Sequence, residues 1–334
     1  MKKTALFLLD YPDLVYSKAT QKALAEQFDF PWAPMAASQL AKCPGMMADI
    51  EVLFSSWGAP VLDEAFLDSA PRLEAIFYAA GSIRHMVSDA FWKRSIPICS
   101  AWAANAVPVA EFTASHILLA LKQTHRLCRD MHRERRIPKA GIHEEAMILG
   151  AYDVKVGIIG LGMIGRMVAE RLQSADLEVL AYDPYFPADE AARLGVGLTD
   201  LSTLFSECHV VSLHAPDLDS TRSMITGDLL RMLPDSSTFI NTARGGLVKE
   251  DEMIAVLCER PDITAVLDVT EPEPPPTDSP LYSLQNVFLT PHIAGSRGNE
   301  CHRLGDYMRD EARRYLKGEP LKWQVTPEIF RSMA

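Results

Sequence analysis

Three residues in the last third of the chain are of types that can work together on a small acid. Arg244 lies in Ile240-Asn-Thr-Ala-Arg-Gly-Gly246, between an apolar run and two glycines. A planar guanidinium grips a carboxylate bidentately and offsets charge on a neighbouring carbonyl oxygen. His292, in Leu289-Thr-Pro-His-Ile-Ala-Gly-Ser296, can give or take a proton near neutral pH. Glu273 stands in the tract EPEPPPTDSP, residues 271–280, whose prolines fix φ and remove donors, so its position is set by a rigid loop. A carboxylate beside an imidazole holds its orientation and favours its protonated form. Rivals stand close by. His214 in LHAP competes with His292 and Glu271 with Glu273, while Asp268 could serve the histidine, the arginine or a bound cofactor.

These side chains matter only if the fold gathers them. Short apolar runs alternate with amphipathic segments almost throughout, which predicts α/β structure with parallel sheets. TALFLLD, IEVLFSS and LEAIFYAAG read as strands in the first hundred residues. A second series, VKVGIIG, LEVLAYD, CHVVSLHA, STFINTA, ITAVLDV and NVFLTPH, begins near residue 153. Between the two series a helix is expected over about Val107 to Arg126, with Pro108 in its first turn and Ala114, Ile117, Leu118 and Leu121 on one face. Residues 297–334 read as charged and helical, then a short tail. In doubly wound sheets, ligands sit beyond the carboxyl ends of the strands. Gly160, Asp183, His214, Arg244, Asp268 and His292 all fall at or just after such ends, which points to one shared crevice.

Strand VKVGII runs directly into Gly160-Leu-Gly162-Met-Ile-Gly165, and a helix with Ile164, Val168 and Leu172 on one face follows. The first glycine makes the turn, the second admits a pyrophosphate, and the third lets helix and strand pack closely. Asp183 closes the next strand, eighteen positions beyond Gly165. Its carboxylate suits ribose hydroxyls and repels a 2′-phosphate, and Pro184-Tyr185-Phe186 supply no arginine for one. NAD is therefore expected over NADP. With a dinucleotide alongside, Arg244, His292 and Glu273 make a set for hydride transfer to a 2-oxo acid.

Composition narrows the remaining classes. Of 334 residues, 48% are hydrophobic and 23% charged, ordinary for a globular protein, and the length suggests two domains. A net charge of −11 argues against a nucleic-acid partner. The basic stretch from Arg126 to Lys139 reads as a solvated helix end or an oligomer arm. Six scattered cysteines suit buried thiols in a reducing cytoplasm and predict neither a disulfide frame nor a metal site. The apolar run Ala5–Leu9 is too short for a secretion signal, and no run is read as reaching membrane-spanning length. A cytoplasmic protein with no membrane partner is expected.

These motifs together resemble the D-isomer-specific 2-hydroxyacid dehydrogenases, the family that includes phosphoglycerate dehydrogenase and glyoxylate/hydroxypyruvate reductase. The resemblance rests on VPVAE (107–111), VGIIGLGMIG (156–165), Asp183, LHAPDLDSTRSMI (213–225), INTARGGLVKEDEMIAVL (240–257), LDVTEPEPPPTDSPL (267–281) and LTPHIAGS (289–296). It implies catalysis by Arg244, Glu273 and His292, with Glu273 singled out by its place five residues after Asp268. It assigns His214 to a cofactor-proximal loop. Cofactor contacts are implied from Gly160, Gly162, Met163, Ile164, Gly165, Asp183, Ala215, Thr242, Ala243, Arg244, Asp268 and His292.

The family architecture implies two Rossmann-like, doubly wound parallel-sheet domains with a cleft between them. Residues 1–101 and 297–334 would form a discontinuous substrate domain and 102–296 the NAD domain. Residues 126–150 would be a dimer arm, so a homodimer is expected. An additional regulatory domain is not expected in a chain of this length. The chain departs from the family at Ala79-Ala-Gly-Ser-Ile-Arg84, where a glycine-rich loop usually receives the substrate carboxylate on its amides. Ala80 and Gly81 would take that part here, Trp57 would either line the pocket or be a packed aromatic, and Arg84 could meet an acidic substrate tail or a surface carboxylate. The expected activity is NAD-dependent interconversion of a D-2-hydroxy acid and its 2-oxo acid. The alternatives are a non-catalytic NAD(H)-sensing scaffold, corepressor-like, and a dehydrogenase of formate or phosphite.

Overall fold

The computed structural model describes residues 1–43, 45–135 and 148–332, and the chain divides into two compact units, Met1–Ala106 with Ser296–Ala334, and Val107–Gly295. In the first unit, β1 (Ala5–Leu8), β2 (Val52–Ser55), β3 (Ala75–Tyr78) and β4 (Ile98–Ser100) form a parallel sheet in that order. Single bridges continue it at both edges, Leu8 with Met35 in parallel and Cys99 with Gln324 antiparallel. Side chains alternate across a strand, and both faces are apolar. Phe7, Phe54 and Phe77 pack with Leu304, Met308 and Ala312 of the helix Cys301–Lys317. Leu6, Leu53, Ile76 and Tyr78 pack on the opposite side with Leu67 and Phe91. Helices therefore cover both faces, as a parallel sheet requires.

The second unit has seven parallel strands: β5 (Tyr152–Ile159), β6 (Asp176–Tyr182), β7 (Val196–Leu198), β8 (Val210–Leu213), β9 (Thr238–Asn241), β10 (Thr264–Leu267) and β11 (Val287–Leu289). Their order is β11-β10-β9-β8-β5-β6-β7, so the winding reverses between β5 and β8. Val156, Ile158, Ile240 and Val266 belong to one core cluster, while Ile159, Val211, Phe239 and Ala265 belong to the other. Both units are doubly wound α/β structures of Rossmann type.

Several local expectations are corrected. The long helix runs from Trp102 to Leu121, with Pro108 inside it and not in its first turn. The alanine-rich run before Pro108 favours helix. The donor that proline lacks costs on the order of 3 kcal/mol, against the complete burial of Ala104, Ala110 and Ile117. Gln123 at φ +52° ends that run and precedes a second helix, Thr124–Glu134. The helix Trp102–Leu121 is also long and apolar enough to cross a membrane by length and composition, contrary to the expectation that no run reaches that size. It is 61% buried inside the fold, as a core helix is. The short strands β4 and β7 carry too few residues to show a period. Of the six free cysteines, Cys99, Cys208 and Cys301 are buried, whereas Cys43, Cys128 and Cys258 are exposed. Helix Thr124–Glu134 buries none of its residues, and residues 136–147 of the expected dimer arm lie outside the described residues.

The two helices meet β11 through a pair of imidazoles, His116 buried and His125 half-buried. His116 Nδ1 lies 3.2 Å from His125 Nε2, and Phe112 and Phe288 pack against the pair with ring centroids 4.3 Å from His116 and His125 respectively. Desolvation, reinforced by His125, pushes His116 down to about 4. In the unfolded chain a histidine titrates near pH 6.5. Between those values the unfolded state binds the proton and the folded state does not, so stability falls as pH drops from about 6.5 towards 4, by up to ~1.4 kcal/mol per unit. Urea midpoints at pH 7.5 and 5 are expected to differ, and His116→Gln should reduce that difference, with buried His214 supplying a further share. An unchanged difference in the variant would remove His116 as its source.

Candidate active site

The reversal between β5 and β8 is where the glycine loop sits, and each glycine there meets a different demand. Gly160 has φ +91°, and a Cβ on it would lie 2.9 Å from the His214 carbonyl and the Ala215 amide. Only glycine lets the loop after β5 pass the loop after β8 so closely. A Cβ at Gly165 would come 1.9 Å from the Gly160 carbonyl oxygen, so the helix Met163–Leu172 is held tightly against the turn. At Gly162 a Cβ would meet nothing within 4 Å. That glycine therefore answers to no packing need of the protein, and it faces open space beside a helix N-terminus suited to an anion. Asp183 reinforces the loop: its Oδ2 accepts from Leu161 N at 2.8 Å and its Oδ1 from Tyr185 N at 3.0 Å. Its carboxylate thus stands beside the glycine turn, where a ribose would lie. Met163 and Ile164, half-buried, open the helix. A dinucleotide fits this arrangement.

The loop after β9 is folded by a side chain that the sequence did not single out. Asn241 donates from Nδ2 to the Arg244 carbonyl at 2.9 Å and accepts from Ala243 N at 3.0 Å, closing the segment Thr242–Arg244 on itself. Gly245 is required because a Cβ would reach 2.1 Å from the Thr270 carbonyl carbon. Thr242 meets Thr113, hydroxyl to hydroxyl, at 3.0 Å. Arg244 Nη1 donates to the Ala243 carbonyl at 2.6 Å. Burial draws its guanidinium down from the usual value, and the carboxylates of Asp217 and Glu273 oppose the shift. A desolvated guanidinium pairs strongly with an anion that reaches it.

The two histidines differ in their surroundings. His214 is 8% exposed, its Nε2 is 2.8 Å from Ser212 Oγ, and burial pushes it down to about 3. It remains neutral and cannot deliver protons near pH 7. His292, by contrast, has a half-open side chain with Nδ1 2.6 Å from Glu273 Oε1. Glu271 turns away towards Arg222, 3.5 Å distant. Asp268 is 2% exposed and spends its carboxylate on the histidine loop: Oδ1 accepts from Ile293 N at 2.7 Å and Thr290 Oγ1 at 2.6 Å, and Oδ2 from Ala294 N at 2.8 Å. The imidazole therefore meets Glu273, and Asp268 holds the backbone on either side of it. His292 itself sits at φ +53°, a conformation that persists only where neighbours enforce it.

In the other unit, Ala80 and Gly81 follow β3, and their carbonyls accept from the Ser100 hydroxyl. Trp57 follows β2 and is 40% exposed. Arg84 is exposed, and its guanidinium is turned onto backbone carbonyls. Its Nη2 donates to the carbonyls of Phe330 and Arg331 at 3.2 and 3.1 Å, and its guanidinium lies 5.2 Å from the centre of the Phe330 ring. The unpaired carbonyls at a helix end attract a cation, and Arg84 answers the helix Pro327–Ser332.

The glycines give a test that separates packing from ligand binding. Gly165→Ala should lower the melting temperature by several degrees, since backbone has to move. Gly162→Ala should leave it within about one degree yet weaken NADH binding at least tenfold, read by fluorescence titration. Equal NADH affinity in Gly162→Ala and the parent would show that the open space is not where the pyrophosphate lies.

Comparison with known proteins agrees with this geometry. Residues 114–294 match the family model described as D-isomer specific 2-hydroxyacid dehydrogenase, NAD binding domain. An (S)-sulfolactate dehydrogenase of Chromohalobacter salexigens is 33% identical over 258 residues, covering 76% of this chain and 81% of that one. A D-3-phosphoglycerate dehydrogenase of Archaeoglobus fulgidus is 30% identical over 263 residues, 78% of this chain but 49% of its own length. The chain thus spans about half the length of the phosphoglycerate dehydrogenases it matches. Among solved structures, a phosphoglycerate oxidoreductase from Rhizobium etli superposes with a TM-score of 0.80 at 18% identity, covering 98% of this chain and 99% of that one, a likeness of fold. The chain belongs to the D-isomer-specific 2-hydroxyacid dehydrogenase family.

Proposed function

We propose that the protein is an NAD-dependent oxidoreductase that interconverts a D-2-hydroxy acid and the corresponding 2-oxo acid. The observation that carries this reading is the 2.6 Å contact between His292 Nδ1 and Glu273 Oε1, in the same unit as the half-buried Arg244, whose guanidinium feels the Glu273 charge. A bound nicotinamide supplies or accepts the hydride at C2 of the substrate. Arg244 anchors the substrate carboxylate and offsets charge on the C2 oxygen. His292 gives that oxygen its proton in reduction and takes it back in oxidation. With Nδ1–H directed at Glu273, Nε2 is the nitrogen assigned to the exchange. Glu273 fixes the orientation of the ring. Thr242–Arg244, Ala215 and Asp268 line the cofactor, and Ala80, Gly81 and Trp57 receive the rest of the substrate.

Asp183 supports NAD over NADP, because its carboxylate would face the added phosphate of NADP. The relatives named for phosphoglycerate and sulfolactate support a 2-hydroxy acid as substrate. We further read the protein as a cytoplasmic homodimer, supported by its six free thiols and by the exposed amphipathic helix Thr124–Glu134.

The first measurement is NADH oxidation against glyoxylate, hydroxypyruvate, pyruvate, phenylpyruvate, 2-oxoglutarate and 4-methyl-2-oxopentanoate, with NADPH in parallel. Turnover of at least one acid, faster with NADH, is expected. NADH binding without turnover of any 2-oxo acid would favour a sensing scaffold instead. His292→Ala should abolish turnover while NADH still binds, and near-normal turnover in that variant would sink the assignment. Glu273→Gln keeps the shape but removes the charge, and should lower kcat/KM by about tenfold or more.

A further inference from the structure

We infer that the substrate carries a bulky, uncharged tail, and that the rim of the first unit selects against a second anionic group. This rests on the proposed reaction and on the chemistry of three neighbouring loops at the carboxyl ends of β1, β2 and β3. The loops are fastened to one another. Asp10 N donates to the Trp57 carbonyl at 3.2 Å, and Ser56 Oγ donates to the Ala79 carbonyl at 2.7 Å. Trp57 therefore projects from a loop tied directly to the one holding Ala80 and Gly81, which receive the substrate in the proposed reading.

The indole is presented deliberately. Ser56–Ala59 is a tight turn closed by Ala59 N to the Ser56 carbonyl at 3.1 Å. Gly58 takes φ +82° at its third position, and a Cβ there would lie 2.3 Å from the Asp10 carboxylate. The turn thus favours glycine after Trp57 for its backbone angle. It leaves the indole 40% exposed and Tyr11, on the β1 loop, 65% exposed. Two large aromatic side chains on adjoining loops at one end of a sheet offer a surface for a sizeable group.

Charge decides what kind of group. Residues 9–17 and 56–63 contain no lysine or arginine, and the only one among residues 79–88 is Arg84, which is turned onto the carbonyls of Phe330 and Arg331. The charge that does stand beside the Trp57 turn is the carboxylate of Asp10. A phosphate, sulfonate or second carboxylate on the substrate would find no lysine or arginine in the β1 and β2 loops and would meet the like charge of Asp10. An uncharged tail meets no such penalty and covers apolar surface.

The test is a comparison of kcat/KM with NADH for phenylpyruvate and 4-methyl-2-oxopentanoate against 2-oxoglutarate and 3-phosphohydroxypyruvate. The uncharged acids should lead by about 100-fold, and Trp57→Ala should lower the phenylpyruvate-to-glyoxylate ratio by about tenfold or more, with Trp57→Phe restoring much of it. Trp57→Arg should move preference towards the doubly charged acids. NADH titration of each variant confirms that it is folded. Parent enzyme that prefers a doubly charged acid, or an unaltered ratio in folded Trp57→Ala, would overturn this inference while leaving the proposed reaction standing. Absence of turnover on every 2-oxo acid would overturn both.

Discussion

The arrangement of the second unit turns on one buried carboxylate. Asp268 stands at the end of β10 with almost no solvent, where an isolated charge would cost several kcal/mol. The cost is met by the loop that follows β11. Two of its amides, Ile293 N and Ala294 N, and the Thr290 hydroxyl all donate to that one side chain, while His292 N returns a bond to the Asp268 carbonyl. The carboxylate is stable only with this loop around it, and the loop takes its shape only around the carboxylate. Because His292 is enclosed on both sides by these bonds, its left-handed backbone is dictated and its ring is carried towards Glu273.

Glu273 is reached from the opposite direction by a loop that is stiff for different reasons. Its prolines leave little freedom in φ, the Thr270 hydroxyl donates to the Pro272 carbonyl, and the Tyr282 hydroxyl donates to the Pro275 carbonyl. Glu250, on the helix Glu250–Glu259, accepts from Glu271 N at 3.1 Å. Burial there raises its own carboxyl above the ordinary range, the cost of placing an acceptor where the loop needs one. The 2.6 Å contact between acid and imidazole is thus the meeting of two separately braced loops. Neither side chain has to find the other by flexing, which is what preorganisation of a proton-transferring pair demands.

How much of this the sequence disclosed depends on whether a residue's reason is local. Gly160 and Gly165 announce themselves because strand, turn and helix are contiguous, and the close approaches they permit lie within that unit of structure or at the next strand end. Arg244 and His292 are legible for a related reason, as polar residues ending apolar runs. Asn241 was not, because its task is to bond the backbone two and three residues away, and nothing in an apolar-to-polar transition separates it from an ordinary strand end. Pro108 misled because its local rule, first turn of a helix, was overridden by tertiary burial of the alanines before it. Arg84 could be read only as a cation near a substrate loop. Its partners, the carbonyls of Phe330 and Arg331, lie some 250 positions away in sequence, and no spacing rule reaches that far.

The two histidine environments show how the same fold sorts chemically equivalent residues. His214 and His292 both follow strands of one sheet, and both are polar residues where a ligand would be expected. His214 lies at the centre of the sheet, against Gly160 at the reversal of winding, where close packing leaves no room for solvent and so no room for charge. His292 lies after the terminal strand β11, where one side of the loop is open and a carboxylate can be brought in. Position in the strand order, more than residue type, therefore decides which imidazole is sealed from solvent and which stays partly open. The histidine proposed for acid–base work thus follows an edge strand, with its orientation supplied by loops and not by the core.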